Sequence, residues 1–143
     1  MIYTRLTNEA MKIAYAAHHG QTDRGGIPYI FHPLHLAEQM TDEYTTCVAL
    51  LHDVVEDTDV TLEELCAIFP REVTDAVALM THNDDTPYLD YVARIKENPI
   101  ARAVKISDLL HNSDKTRLDD PEAHAADQKR WEEKYQKALA ILR

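Results

Sequence analysis

Cysteine, glycine and positive charge are all in short supply in this sequence. Two cysteines occur in 143 residues, Cys47 and Cys66; they sit inside apolar helical patterns and form no C-x-x-C pair, so both read as buried small apolar residues in a reducing compartment. A chain of this length buries roughly 68–70% of the surface that its unfolded form exposes, so the core needs neither disulfide nor structural metal, and a metal would be there for chemistry. Lysine and arginine number 15 against 25 acidic residues, a formal charge of −10. That balance excludes nonspecific affinity for nucleic acid or anionic lipid. No basic stretch followed by an apolar run opens the chain, and the longest uncharged run, Gly25 to Ala37, contains Pro28 and Pro33. Neither a signal peptide nor a membrane span is expected, and a cytoplasmic location follows.

Sustained period-two alternation is also missing, as is any hairpin dipeptide between β-branched runs. Helical spacing takes its place: Ala10, Ile13, Ala14 and Ala17; Val73, Val77 and Met80; Tyr88, Tyr91, Val92 and Ile95; Gln128, Trp131, Tyr135, Ala138 and Leu142. Prolines mark helix starts, because proline is tolerated in a first turn and breaks an interior. His32-Pro33, Thr86-Pro87, Asn98-Pro99 and Asp120-Pro121 each read as a cap followed by proline at the first helical position, Pro70 as the opening of another helix, and Thr61 with Glu64 as a capping box. The expected fold is all-α, a single compact domain over residues 1–143 with about eight helices. The three glycines fall between Gly20 and Gly26, which makes the segment from His18 to Tyr29 the one long non-helical loop.

Histidine is plentiful, at eight residues, and it is the commonest metal ligand. The stretch Cys47-Val48-Ala49-Leu50-Leu51-His52-Asp53-Val54-Val55-Glu56-Asp57-Thr58 runs from an apolar helix into a histidine and three acids. Unpaired charge there is costly. On a continuous helix His52, Asp53, Glu56 and Asp57 converge near one face, and a divalent cation is the economical partner. Downstream, Asp108 shares a stripe with Lys105 and Asn112; this is either a structural ion pair or an inward-facing acid, cation and amide. His32, before a proline at the end of the glycine-rich loop, is either a turn residue or a ligand.

Taken in order, these segments resemble the HD-domain metal-dependent phosphohydrolases, named for the His-Asp pair. They are more narrowly similar to the ppGpp-hydrolase domain of the RelA/SpoT family in its small free-standing form. The similar segments are His19-Gly20-Gln21 with Pro28-Tyr29-Ile30-Phe31-His32-Pro33, then Ala49 to Thr58, then Val104-Lys105 through Asp108-Leu109-Leu110-His111-Asn112. The resemblance implies a helical fold holding one Mn²⁺-type ion through His32, His52, Asp53 and Asp108, with Glu56 and Asp57 serving the hydrolytic water as catalytic carboxylates that orient it and accept its proton. It implies that Asn112 meets the ribose and phosphate region; Lys105 and Arg24 are expected to steady the anionic substrate, a small phosphorylated nucleotide. These residues correspond to the degrading half of the long family members, so a pyrophosphokinase activity is not expected of them.

Two positions depart from the family pattern. Asp23 stands where a base-stacking cation is usual, and Asp114 where an arginine follows the asparagine. Both leave the metal and water chemistry intact and keep other nucleotides open as substrates. A general HD-type 5′-nucleotidase and a catalytically silent nucleotide-binding module are the alternative functions. Elsewhere, His18 and His19 are expected to cap a helix or meet solvent, and His35, His82 and His124 to lie on the surface. His111 is expected to neighbour the site, and Trp131 and Tyr135 to belong to the core.

Overall fold

The computed structural model describes residues 1–118, 120 and 122–143. Among them run nine α-helices: α1 (Arg5–Ala17), α2 (Phe31–Glu38), α3 (Glu43–Leu51), α4 (Val54–Asp57), α5 (Leu62–Cys66), α6 (Arg71–Met80), α7 (Tyr88–Lys96), α8 (Pro99–Asn112) and α9 (Ala125–Leu142), with 3-10 turns at Lys115–Arg117 and Glu122–His124. Helix α4 has four residues and α5 five, which is why the period-based reading finds about eight. Among the described residues the only extended pairing is an isolated bridge, Thr22 to Pro28, that pinches the loop between α1 and α2. The all-α expectation holds.

Capping chemistry sets most boundaries. Asn98 Oδ1 accepts from the amides of Ile100 and Ala101, both at 3.0 Å, with Pro99 in the first turn. Thr61 accepts from the Glu64 amide at 3.2 Å, but among the described residues no return bond from Glu64 forms. A reciprocal box opens α1, where the Thr4 amide donates to Thr7 Oγ1 (2.8 Å) and the Thr7 amide to Thr4 Oγ1 (3.2 Å). Two proline registers differ from expectation: α2 begins at Phe31, two residues before Pro33, and Pro87 is itself the cap of α7. A missing N–H is harmless anywhere in the first turn, so proline marks a start only to within a few residues. The start expected at Asp120-Pro121 lies outside the described residues.

Helix α3 is the centre of the molecule. Every residue from Thr45 to Leu51 is buried, and α1, α2, α6 and α8 pack around it. Each fully buried leucine there contributes about 1.5–3 kcal/mol from apolar burial alone. Cys47 belongs to this core, whereas Cys66 is exposed at the end of α5, against the expectation that both are buried. Helix α9 packs on α7 and α8 and is tied at its end by Arg102 Nε, which donates to the Leu142 carbonyl at 2.6 Å. Among the described residues no helix is long and apolar enough to cross a membrane.

Candidate active site

The continuous helical face expected for His52, Asp53, Glu56 and Asp57 is broken. Helix α3 stops at Leu51, His52 and Asp53 form a corner, and α4 starts at Val54. The corner still gathers the acids: one carboxylate oxygen from each of Asp53, Glu56 and Asp57 lies within 4.8 Å of the others. It also turns His52 inward, 1% exposed, with Nδ1 2.7 Å from the Ala49 carbonyl. That bond turns Nδ1 to the backbone and aims Nε2 at the acids. Nε2 is 3.0 Å from Asp53 Oδ2 and 3.6 Å from Asp108 Oδ1, yet it makes no hydrogen bond of suitable geometry with either.

His32, on α2, brings its Nε2 to 2.9 Å from Asp108 Oδ1. Donor atoms of His32, His52 and Asp53 lie within 4.8 Å of one another. Burial opposes charge on His52, but Asp53 and Asp108 outweigh it and push the imidazole well above its ordinary range, so a cation is favoured at this nitrogen, a proton or a metal ion in its place. The two imidazoles and two carboxylates are a ligand set suited to a first-row divalent ion, so the residues fit the metal that the sequence pattern implies.

The α8 stripe is formed as expected. Lys105 Nζ is 2.8 Å from Asp108 Oδ2, and Asn112 Nδ2 donates to Asp108 Oδ1 at 3.1 Å. Burial opposes charge on Asp108, but Lys105 and the two histidines outweigh it and hold the carboxyl well below its ordinary range. Burial likewise opposes the Lys105 charge, and Asp108 overcomes it. The Lys105–Asp108 ion pair therefore exists, and both members line the same cavity.

Around these residues lies a supporting layer. The Tyr29 hydroxyl donates to Asp53 Oδ2, and burial together with Asp53 pushes the phenol far up, so it remains a donor. His111 meets His32 nitrogen to nitrogen at 2.8 Å, and its other face stacks on His35 at 3.9 Å. Burial and Arg117 push His111 down to about 4, so it is neutral at neutral pH. Glu56 accepts from the His82 amide at 2.5 Å. Glu56 and Asp57 are both shifted upward, by burial first and then by neighbouring acids.

A cavity of about 450 Å³ opens over this floor. His52, Asp53, Glu56, Asp57, Lys105, Asp108, Asn112 and Arg24 all line it. His32 lies behind, on a smaller hollow shared with His35 and His111. The acidic departures have structural work. Asp23 Oδ1 accepts from the amides of Gly25 (2.9 Å) and Ile27 (3.0 Å), shaping the loop, while Oδ2 pairs with Arg117 at 3.2 Å. Gly25 has no alternative there, since a Cβ would lie 2.4 Å from the Arg117 carbonyl oxygen. Asp114 caps the first 3-10 turn by accepting from the Thr116 amide at 3.0 Å.

His18 caps the end of α1 as expected, with its ring buried against Tyr29 and bonded to Gln21. Two expectations are corrected. His82 lines the cavity instead of the surface, and Trp131 lines it with one ring face under the Arg24 guanidinium. Tyr135 is buried as expected and also reaches the cavity. Tyr29 and His111 had a usable signal, each three residues from a candidate ligand; His82 and Trp131 had none, because tertiary closure alone brings them in.

Comparison with known proteins agrees with this geometry. The family model described as HD domain matches residues 10–141. A probable GTP pyrophosphokinase of Mycobacterium leprae is 35% identical over 133 residues, covering 84% of this chain and 17% of that protein. A guanosine-3′,5′-bis(diphosphate) 3′-pyrophosphohydrolase of Vibrio cholerae is 41% identical over 98 residues, covering 63% of this chain and 14% of its own length. The chain thus spans less than a fifth of these curated relatives. Among solved structures, a metazoan ortholog of SpoT described as hydrolysing ppGpp superposes with a TM-score of 0.83 at 24% identity, over 100% of this chain and 88% of that one. At that identity the likeness shows the fold.

Proposed function

The chain belongs to the HD domain family, and from that premise we propose that it is a divalent-metal-dependent phosphohydrolase of a small phosphorylated nucleotide, guanosine 3′,5′-bis(diphosphate) or a close relative. The observation that carries this reading is the buried Nε2 of His52, which has no hydrogen-bond partner among the described residues and lies between two carboxylates, beside a second acidic pair and under an open cavity. His32, His52, Asp53 and Asp108 hold the ion, of Mn²⁺ type. When bound it supplies Lewis acidity, making water a better nucleophile at neutral pH and offsetting phosphoryl charge.

The chain's own residues do the rest. Tyr29 holds the Asp53 carboxylate, and Lys105 with Asn112 holds Asp108. Glu56, steadied by the His82 amide, and Asp57 orient the attacking water and accept its proton. Water oxygen bonds to the phosphorus attached at the 3′ oxygen, that P–O bond breaks, and the 3′ oxygen leaves as a hydroxyl after taking up a proton. Lys105 and Asn112 hold substrate phosphate and ribose on one side, and Arg24 on the other. The names of the Vibrio relative and of the metazoan ortholog support the substrate class.

The test is a panel assay. Purified chain with Mn²⁺, Mg²⁺ or Zn²⁺ is offered ppGpp, pppGpp, nucleoside triphosphates and 5′-monophosphates. Equal release of pyrophosphate and guanosine 5′-diphosphate from ppGpp is expected. Phosphate from 5′-monophosphates alone favours the nucleotidase reading, and no release from any member overturns the hydrolase.

A further inference from the structure

Helix α4 carries both acids that serve the hydrolytic water, yet it has only four residues, Val54–Asp57. A turn that short holds no shape of its own, because helix nucleation is costly and few bonds offset it. The Asp57 carbonyl, at its last residue, also lies beyond the reach of bonding within the helix. What fixes α4 therefore comes from elsewhere in the fold. Val54 is buried, and the Thr58 hydroxyl donates to the Val54 carbonyl at 2.5 Å. Glu56 is held from one side by the His82 amide. From the other side Gln21 Nε2, thirty-six residues earlier in the chain, donates to the Asp57 carbonyl at 3.0 Å.

A local device delivers Gln21 to this point. Gly20 adopts φ +88°, a left-handed conformation open to glycine, and turns the chain just after α1. The Gln21 amide then donates to the His18 carbonyl at 3.0 Å, and the Gln21 carbonyl accepts from the Tyr29 amide at 2.9 Å, closing the loop. The side chain has a defined orientation. A carbonyl only accepts, so the Asp57 oxygen faces the amide nitrogen of Gln21; Oε1 is left for His18 Nδ1 at 2.9 Å, and Nδ1 is the donor in that bond. His18 is 1% exposed, and Gln21 is the one polar partner of its ring among the described residues. Burying an imidazole is costly, and here the buried ring fixes the amide from behind.

Gln21 thus serves both halves of the acidic corner from one position. Its backbone anchors Tyr29, whose hydroxyl holds the Asp53 carboxylate, and its side chain anchors Asp57. We propose that Gln21, oriented by His18, is a positioning residue for hydrolysis: by holding the end of α4 it sets the attitude of the Asp57 carboxylate toward the attacking water. The proposal deepens the phosphohydrolase reading and rests on it for the role of Asp57. Gln21 itself lies behind the residues that line the cavity, so its loss is expected in the rate of the chemical step and not in the binding of substrate or metal.

Gln21→Met keeps the length of the side chain and removes its donor. Gln21 is half-buried and outside the apolar core, and a helical circular-dichroism spectrum controls for folding. With Mn²⁺ and ppGpp, kcat is expected to fall about tenfold while KM stays within about twofold of the unaltered chain. Bound Mn²⁺, by elemental analysis, is expected to be unchanged. His18→Leu combined with Gln21→Met is expected to cost no more than the larger single loss, since both act through one amide. A second readout needs no turnover. NMR relaxation of the metal-free protein is expected to give order parameters of about 0.85 for the Asp57 and Thr58 amides in the unaltered chain and about 0.6 in Gln21→Met, with Val48 to Leu51 unmoved. Unchanged kcat, a loss carried by KM alone, or equal order parameters in the two proteins overturns the positioning role, and fully additive losses overturn the part given to His18. Absence of turnover by the unaltered chain overturns the hydrolase instead, and relaxation then still decides whether Gln21 holds α4.

Discussion

The floor and the wall of the cavity manage charge in opposite ways. On the floor, His52 and Asp53 at the end of the central helix meet Asp108 of α8, and the two carboxylates are held by Tyr29, Lys105, Asn112 and the histidines. On the wall, which the α1–α2 loop and α9 raise, Arg24 and Lys134 lie on exposed segments, and the rings of Trp131 and Tyr88 hold them without cancelling their charge. The difference teaches that one cavity can hold acids and cations by separate means. Under the proposed function, buried acids and imidazoles on the floor would take a dication, while the cations on the wall are held by ring faces.

Breaking the floor gives the largest effect. His52→Ala and Asp53→Ala are each expected to reduce pyrophosphate release to background and to abolish bound metal, measured by product assay and elemental analysis. In the unaltered chain, Mn²⁺ at 100 times its dissociation constant is expected to stabilise the fold by about 2.7 kcal/mol, read as a raised Tm; neither variant should show the rise. Next comes the support beneath the floor. Leu50→Ala is expected to cost about 2–5 kcal/mol in urea denaturation, against less than about 0.5 kcal/mol for Lys134→Gln on the wall. Equal costs would erase the distinction between a buried floor and an exposed rim.

A smaller loss is expected from the layer behind the ligands. Tyr29→Phe removes only the hydroxyl that holds Asp53 and is expected to lower metal affinity by about ten- to a hundredfold with the fold unchanged, measured by competition with a metal indicator. The smallest effect is chemical. Cys66, at the surface, is expected to react with iodoacetamide at neutral pH. Cys47, in α3, is buried and its thiol is pushed up to about 12 by burial and Glu43, so it should react only after unfolding. Equal labelling of the two in the native protein would show that α3 is not the closed centre described above.

The two regions also differ in how much of them the sequence reveals. The floor was legible because its signals are local: Lys105, Asp108 and Asn112 share one helical stripe, and the His52-Asp53 dipeptide sits where an apolar helix meets acids. Even there, the break between α3 and α4 was not legible, since a corner at Asp53 depends on packing and not on propensity. The wall was largely hidden. Trp131 at helical spacing with Tyr135 looks like any core stripe, and nothing in its neighbourhood announces that Arg24, more than a hundred residues earlier, will lie over it.

The burial of α3 along its length has a consequence for the lifetime of the site. Amide hydrogens near His52 belong to a segment enclosed by four other helices. Exchange of such amides with solvent requires opening of the whole molecule, whereas the amides of an exposed loop exchange through local fluctuation. The α3 side of the corner is thus expected to open only with the whole molecule, whereas Asp53 and the short α4, which face the cavity, are expected to exchange sooner.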